Sequence, residues 1–201
     1  MKKLVLAAMA LAISGGAMAQ DKPNYVAAQV TSSKSKCKGF QDGLAPLGLT
    51  TTCDVRDEGW RIAYGRYFNE FFGAELGYQD AGEGTAFGRL PNGTLAVTLK
   101  SPMKAVDLVG TARWEVQDGI VGMVRFGGAW WDYEVIATPA TGFGAKNDKI
   151  TLTYGVGLEY RFFTLGFDII SKVGQGNLLV PTGPDIKQDV KRISAGLKYQ
   201  F

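Results

Sequence analysis

The sequence predicts an all-β fold: a closed, eight-stranded, antiparallel transmembrane β-barrel of up-and-down meander topology. Three observations carry that prediction. From Tyr25 to the C-terminus, apolar and polar residues alternate with a period of two, giving strands two chemically different faces. Past the N-terminal leader no apolar run reaches the roughly 20 residues of a membrane-crossing helix, although 46% of the chain is hydrophobic. The connections alternate between short and long, as when hairpin turns gather on one rim and long loops on the other.

The chain opens with Lys2 and Lys3, an apolar run from Leu4 to Ile13, and small residues up to Ala17-Met18-Ala19. A charged start, a short apolar core and an A-x-A site describe a secretory signal peptide over residues 1–19. No cysteine stands at the expected cut, which argues against a lipid-anchored precursor. The mature chain, residues 20–201, is long enough for one domain. The leader takes two lysines out of a balance of 22 basic against 19 acidic residues, so the mature part is nearly neutral. Neither charge nor an aromatic-and-basic cluster points to nucleic acid.

The first strand covers Tyr25–Thr31. In the second, Trp60, Ile62 and Tyr64 alternate with Arg61, Ala63 and Gly65. Phe72, Ala74, Leu76 and Tyr78 then oppose Gly73, Glu75, Gly77 and Gln79. Val106, Leu108, Ala112 and Trp114 oppose Asp107, Thr111, Arg113 and Glu115. Val124, Phe126 and Trp130 oppose Arg125, Gly127 and Trp131, less cleanly. Ile150 to Tyr160 alternates with Thr151 to Glu159, and Phe163 to Ile169 with Thr164, Gly166 and Asp168. In the last, Ile193, Ala195, Leu197, Tyr199 and Phe201 oppose Arg192, Ser194, Gly196, Lys198 and Gln200. Eight is an even count, as a closed antiparallel barrel of this type requires. Short turns are expected at 68–70, 117–119 and 161–162, and long loops at 32–58, 80–104, 134–148 and 174–188. The Pro91-Asn92-Gly93 turn predicts a hairpin projecting from the second long loop.

Period two does not say which face is outside, and a soluble barrel with an apolar interior is the alternative. Aromatic residues near the ends of the apolar faces (Trp60, Tyr78, Trp114, Tyr160, Phe163, Tyr199) suit the two lipid–water interfaces. The polar faces mix both charge signs with many glycines, a composition that fills a narrow lumen. The chain ends Ser194-Ala195-Gly196-Leu197-Lys198-Tyr199-Gln200-Phe201. This resembles the β-signal of outer-membrane barrels: polar, any, Gly, two of any kind, aromatic, any, terminal aromatic. The resemblance implies that Ser194, Gly196, Tyr199 and Phe201 are read by the barrel-assembly machinery.

With those residues in view, the chain resembles the small outer-membrane β-barrel family typified by the transmembrane domain of outer-membrane protein A. Local echoes are Tyr25-Val26-Ala27-Ala28-Gln29, Gly73-Ala74-Glu75-Leu76-Gly77-Tyr78 and Gly157-Leu158-Glu159-Tyr160. The resemblance covers residues 20–201 in pattern and little in literal identity. It implies a Gram-negative cell outer membrane, with long loops extracellular and short turns periplasmic. It also implies contact with outer-membrane lipid and lipopolysaccharide. The peptidoglycan-binding domain of the full-length relative is not expected here, nor is its cell-wall tether.

Related lipid A palmitoyltransferases and deacylases work through histidine, the usual general acid or base near neutral pH. This chain has 0 histidines. No enzyme, metal site or cofactor is expected. Strand parity puts Glu75, Asp107, Arg113, Arg125, Glu159, Asp168, Arg192 and Lys198 in the lumen. They read either as an ion path or as a salt-bridge plug, and eight strands leave an interior that side chains nearly fill. The resemblance implies charged lumen residues at Glu75, Arg113, Glu159 and Asp168. In an oxidising compartment Cys37 and Cys53 are expected to pair as a disulfide across the first loop. The expected role is structural, or surface interaction with an extracellular ligand through the loops. A narrow channel or carrier for small solutes or apolar molecules is the alternative, and a histidine-independent lipid-modifying enzyme is third.

Overall fold

In this computed structural model the described residues are 23–34, 41, 44–45, 48–54, 56–138, 144–175 and 186–201. The expected signal peptide, 1–19, and Cys37 lie outside them. Among the described residues nine strands follow in order: β1 (Asn24–Lys34), β2 (Thr50–Asp54), β3 (Arg56–Tyr67), β4 (Phe72–Arg89), β5 (Leu95–Gln117), β6 (Ile120–Thr138), β7 (Gly144–Tyr160), β8 (Phe163–Gln175) and β9 (Ile186–Gln200).

Eight of them form a ring. Strand β1 pairs with β3 on one side and β9 on the other, and β3 to β9 each pair antiparallel with the next. The seam between first and last strands runs from Tyr25 opposite Gln200 to Lys34 opposite Lys191. It is finished by Phe201 N donating to Asn24 O at 2.9 Å. Closure leaves the ring without an edge strand, the condition for crossing lipid with sheet.

The short turns lie where the sequence places them. At the first, Asn69 Oδ1 accepts from the backbone N of Phe71 at 2.9 Å and of Phe72 at 2.7 Å. Gly119, at φ 74°, supplies the left-handed residue of the second, and Arg161 takes φ 55° in the third.

The long connections differ from expectation. Strands β4, β5, β6 and β7 have 18, 23, 19 and 17 residues, so much of the expected loops 80–104 and 134–148 is sheet continued past the bilayer. In β4 the register slips between Asp80 and Glu83, a bulge with Gly82 at φ 83°. The extra residue flips the parity: Ala81 faces in before it, Ala86 and Gly88 after it. Pro102 of β5 stands opposite this bulge, paired with Glu83. Such an irregularity is where a strand tolerates a residue without an N–H. The hairpin then closes over Pro91-Asn92-Gly93, with Gly93 N donating to Leu90 O at 2.8 Å. Strand β2, unexpected from the sequence, is threonine-rich and adds to the outer part of β4, Thr50–Asp54 against Arg89–Thr85.

Burial is inverted relative to a soluble protein. Leu108, Phe126, Ile150, Leu152, Val156, Leu165, Ile193 and Leu197 are each more than half exposed on the outer wall, whereas Arg61, Asp107, Asp168 and Arg192 are buried inside. Trp60, Tyr78, Trp114, Tyr160, Phe163 and Tyr199 also point outward.

Candidate functional site

The lumen has three layers. The middle one follows from placing one charged residue per strand at similar depth: Arg61 on β3, Glu75 on β4, Asp107 on β5, Arg125 on β6, Asp168 on β8 and Arg192 on β9. Arg61 is the hub. Its Nε donates to Asp107 Oδ2 at 3.0 Å and its Nη2 to Asp107 Oδ1 at 2.5 Å, a two-pronged pair. The same Nη2 donates to Glu75 Oε1 at 2.5 Å, and Nη1 reaches Gln29 Oε1 at 3.2 Å. Glu75 Oε1 also lies 3.9 Å from Arg125 Nη1. Asp168 sits between two guanidiniums, with Arg125 Nη2 at 2.9 Å and Arg192 Nη2 at 2.8 Å. Three cations and three anions thus form one neutral, continuous chain.

Glycine makes room for it. A Cβ at Gly77 would lie 2.5 Å from Arg61 Nη2 and 2.7 Å from Asp107 Oδ1. At Gly166 it would meet Arg125 Nη2 and stand 2.6 Å from Ser194 Oγ. Gly77 and Gly166 are therefore spacers for guanidiniums, whereas Gly65 leaves room for the Tyr25 ring.

The layer at the short-turn end holds Lys198, which pairs with Glu159 and donates to Tyr67 Oη at 3.0 Å. Its ammonium lies 5.1 Å from the centroid of Tyr25, whose ring stacks on Tyr67 at 5.0 Å. Tyr25 Oη donates to Glu75 Oε2 at 2.9 Å, tying this layer to the middle one.

The layer at the long-loop end is mostly apolar, with Ser101 buried between Leu99 and Ala105 on the inward face of β5. Trp131, Ile170, Val190, Ala81, Ala105 and Ala129 pack together with Ala86 and Leu99 of the extended hairpin. Leu44, from the first long loop, is 1% exposed and belongs to the same cluster, with Leu49 and Cys53 against it. Trp131 Nε1 donates to Thr151 Oγ1 at 2.9 Å, so the one polar atom of the buried ring is satisfied.

Of the residues expected in the lumen, the structure places Glu75, Asp107, Arg125, Glu159, Asp168, Arg192 and Lys198 there. Arg113 is the exception. It is half-buried at the short-turn mouth, where its guanidinium lies 3.7 Å from the centroid of Tyr67 and Nε donates to Glu70 O at 3.0 Å. It lies beyond Thr111, the last fully buried inward position of β5, and near that rim water and a turn carbonyl are within reach. Arg61 takes the place opposite Glu75. The signal was present, since Arg61 shares its strand face with Ala63 and Gly65. Among the described residues no cluster of side chains suited to a metal ion forms.

The model of the outer membrane protein beta-barrel domain family matches residues 4–201. The chain belongs to that family. Similar solved structures include Ail, the attachment invasion locus protein of Yersinia pestis, with TM-score 0.51 and 13% identity over 90% of this chain and 100% of that one. Neisserial surface protein A gives TM-score 0.55 and 14% identity, covering 89% and 97%. The outer membrane protein OprG from Pseudomonas aeruginosa gives 0.56 and 13%, covering 90% and 96%. At such identities the likeness shows the fold. A search of curated proteins finds no match.

In this outer-membrane barrel the four C-terminal positions singled out by the sequence divide between the two faces of β9. Ser194 is buried against the lumen network, while Tyr199 and Phe201 point to lipid with ring centroids 6.3 Å apart. Gly196 packs on β1, where a Cβ would stand 2.7 Å from Gln29 Cα and 2.9 Å from Ala28 C.

Proposed function

We propose that the protein is a sealed, non-catalytic barrel of the outer membrane. Its work is structural, or is surface interaction through the long-loop end. The lumen carries this reading: a neutral six-residue ion chain at mid-depth lies beneath an apolar layer into which Leu44 is packed. A path for ions would have to break charge-assisted bonds in the first and part packed side chains in the second. The long loops face outward and the short turns the periplasm, as in other barrels of this kind. Two of the similar structures are described as an attachment and invasion protein and a surface protein, which suits a barrel that presents its outer end to partners. On this reading Ser194, Gly196, Tyr199 and Phe201 form the signal for the assembly machinery, and Cys37 and Cys53 staple the first loop.

Planar-bilayer recording of the purified protein tests the seal. The expected trace is silent or shows only brief, small openings. A steady, large conductance would overturn the sealed barrel and promote a channel.

One observation favours a carrier of small apolar molecules as the second reading. The β7–β8 ladder stops at Leu152 opposite Ser171, although β7 begins at Gly144 and β8 continues to Gln175. The apolar layer around Trp131 and Ile170 lies beside that point. Uptake of a small hydrocarbon by cells with and without the protein separates the readings, with no difference expected for a sealed barrel.

A further inference from the structure

The tip of the protruding hairpin holds a chemical reactivity that the barrel itself does not use. Strands β4 and β5 close over Leu90-Pro91-Asn92-Gly93-Thr94, with Gly93 N donating to Leu90 O at 2.8 Å and Leu90 N to Thr94 O at 2.9 Å. This is a three-residue loop ending in a left-handed residue, and Gly93 takes that place at φ 83°. Asn92 suits the turn because its side chain can hold the backbone two residues on, and its Oδ1 accepts from Thr94 N at 3.0 Å. Asn92, Gly93 and Thr94 are all exposed.

The contacts that build the turn also arrange an intramolecular acyl transfer. The Thr94 N–H polarises the Asn92 side-chain carbonyl and sits on the oxygen where negative charge builds during attack. The nucleophile, Gly93 N, is tethered to that carbonyl through the Asn92 backbone, so the reacting groups stay close. Gly93 has no side chain to shield its amide, and a Cβ built there meets nothing within 4 Å, so water has access. Arg89 supplies a cation, with Nη1 donating to Gly93 O at 3.1 Å. It is the one charged residue between Gly84 and Lys100 in the sequence. The bond from Gly93 N to Leu90 O holds the proton that must leave, and acts as the brake. The other asparagines, Asn24, Asn69, Asn147 and Asn177, do not precede a glycine. Asn69 repeats the side-chain contact, with Oδ1 on Phe71 N at 2.9 Å, but is followed by Glu70.

We propose that Asn92 is a site of spontaneous deamidation. Solvent base takes the Gly93 N proton, Gly93 N bonds to Asn92 Cγ, the Cγ–Nδ2 bond breaks and ammonia leaves. Water then opens the cyclic imide at either carbonyl, leaving aspartate or isoaspartate at position 92. The new carboxylate arises close to Arg89. The isoaspartate form also lengthens the main chain inside a turn closed by two hydrogen bonds, so the tip of the hairpin changes irreversibly with age.

The test uses the protein refolded in lipid vesicles and kept at physiological temperature in neutral and in mildly alkaline buffer. Peptide mass mapping and labelling by an isoaspartate methyltransferase read the conversion at each asparagine. Asn92 should convert first, and faster in the alkaline buffer in proportion to hydroxide. A unit charge a few ångströms from a developing anion in water is worth roughly fivefold in rate, so Arg89→Gln should slow the conversion by about that factor. In the urea-unfolded chain the variant should match wild type, because the hairpin is what brings the guanidinium to the turn. Conversion at Asn24 or Asn69 as early as at Asn92, a rate indifferent to hydroxide, an unchanged rate in folded Arg89→Gln, or the same slowing in the unfolded chain would each overturn the proposal. These readouts are blind to whether the lumen conducts.

Discussion

Arg61 is the residue whose loss the structure weights most heavily. It is 1% exposed and makes two bonds to Asp107, one to Glu75 and one to Gln29. In Arg61→Met, Glu75 still has Tyr25 Oη at 2.9 Å and Arg125 at 3.9 Å. Asp107, also 1% exposed, loses the cation that holds both its oxygens. Leaving one member of a buried pair alone costs about 3–5 kcal/mol, and water entering the lumen moves the value to the lower end, about 3 kcal/mol. Urea unfolding of the barrel refolded in lipid vesicles, followed by tryptophan fluorescence, measures it. Arg61→Met/Asp107→Leu should recover much of the loss, because no charge is then stranded. Arg113→Met should cost under about 1 kcal/mol, the worth of a rim cation over a ring. A single Arg61 variant within about 1 kcal/mol of wild type, or a double variant no better than the single, would refute the reasoning.

Trp131→Ala should destabilise by about 3–5 kcal/mol in the same assay, since it empties the centre of the apolar layer and leaves Thr151 without its donor; an effect under about 1 kcal/mol would mean that layer is loosely packed. Deleting Phe201 should lower the amount of protein recovered in the outer-membrane fraction, and undiminished levels there would contradict an assembly role for the chain end. Gly196→Ala should raise the unfolding rate, because its Cβ would meet the β1 backbone at Ala28 and Gln29. Thiol titration of the native protein should find Cys37 and Cys53 unreactive, while Cys37→Ser/Cys53→Ser should still fold because the ring closes without that loop.

The parts of this fold legible in the sequence are those where one face meets lipid and the other a filled lumen, as along Ile193–Phe201 or Ile150–Tyr160. There a one-residue shift would exchange hydrocarbon for charge, so the pattern is sharp. Legibility fails beyond the bilayer. The parity flip at Gly82 interrupts alternation within β4, and Pro102, a residue without an N–H, stands opposite it in β5, so sheet reads as loop. Strand β2 has five residues and pairs only with that hidden extension. In the lumen, parity places a side chain on a face and leaves its depth open. Arg113 is on the inward-facing side of β5 but close to its end, and Arg61 is at mid-depth, which only the stagger of neighbouring strands reveals.

The ion pairs also constrain how the sheet can enter a membrane. Arg61 and Asp107 belong to β3 and β5, Arg125 and Asp168 to β6 and β8, Glu159 and Lys198 to β7 and β9, each pair skipping the strand between. A hairpin crossing alone would carry unmatched charges such as Asp107 with Arg125 still apart from their partners. Each costs roughly 2.5–3.5 kcal/mol at mid-bilayer. Pairing over an intervening strand requires the sheet to curve and at least three neighbouring strands to be together. Hairpin-by-hairpin entry therefore strands such charges until the strand two places away arrives. The sheet should cross in bent units larger than a hairpin, within which each of these charges already faces its partner.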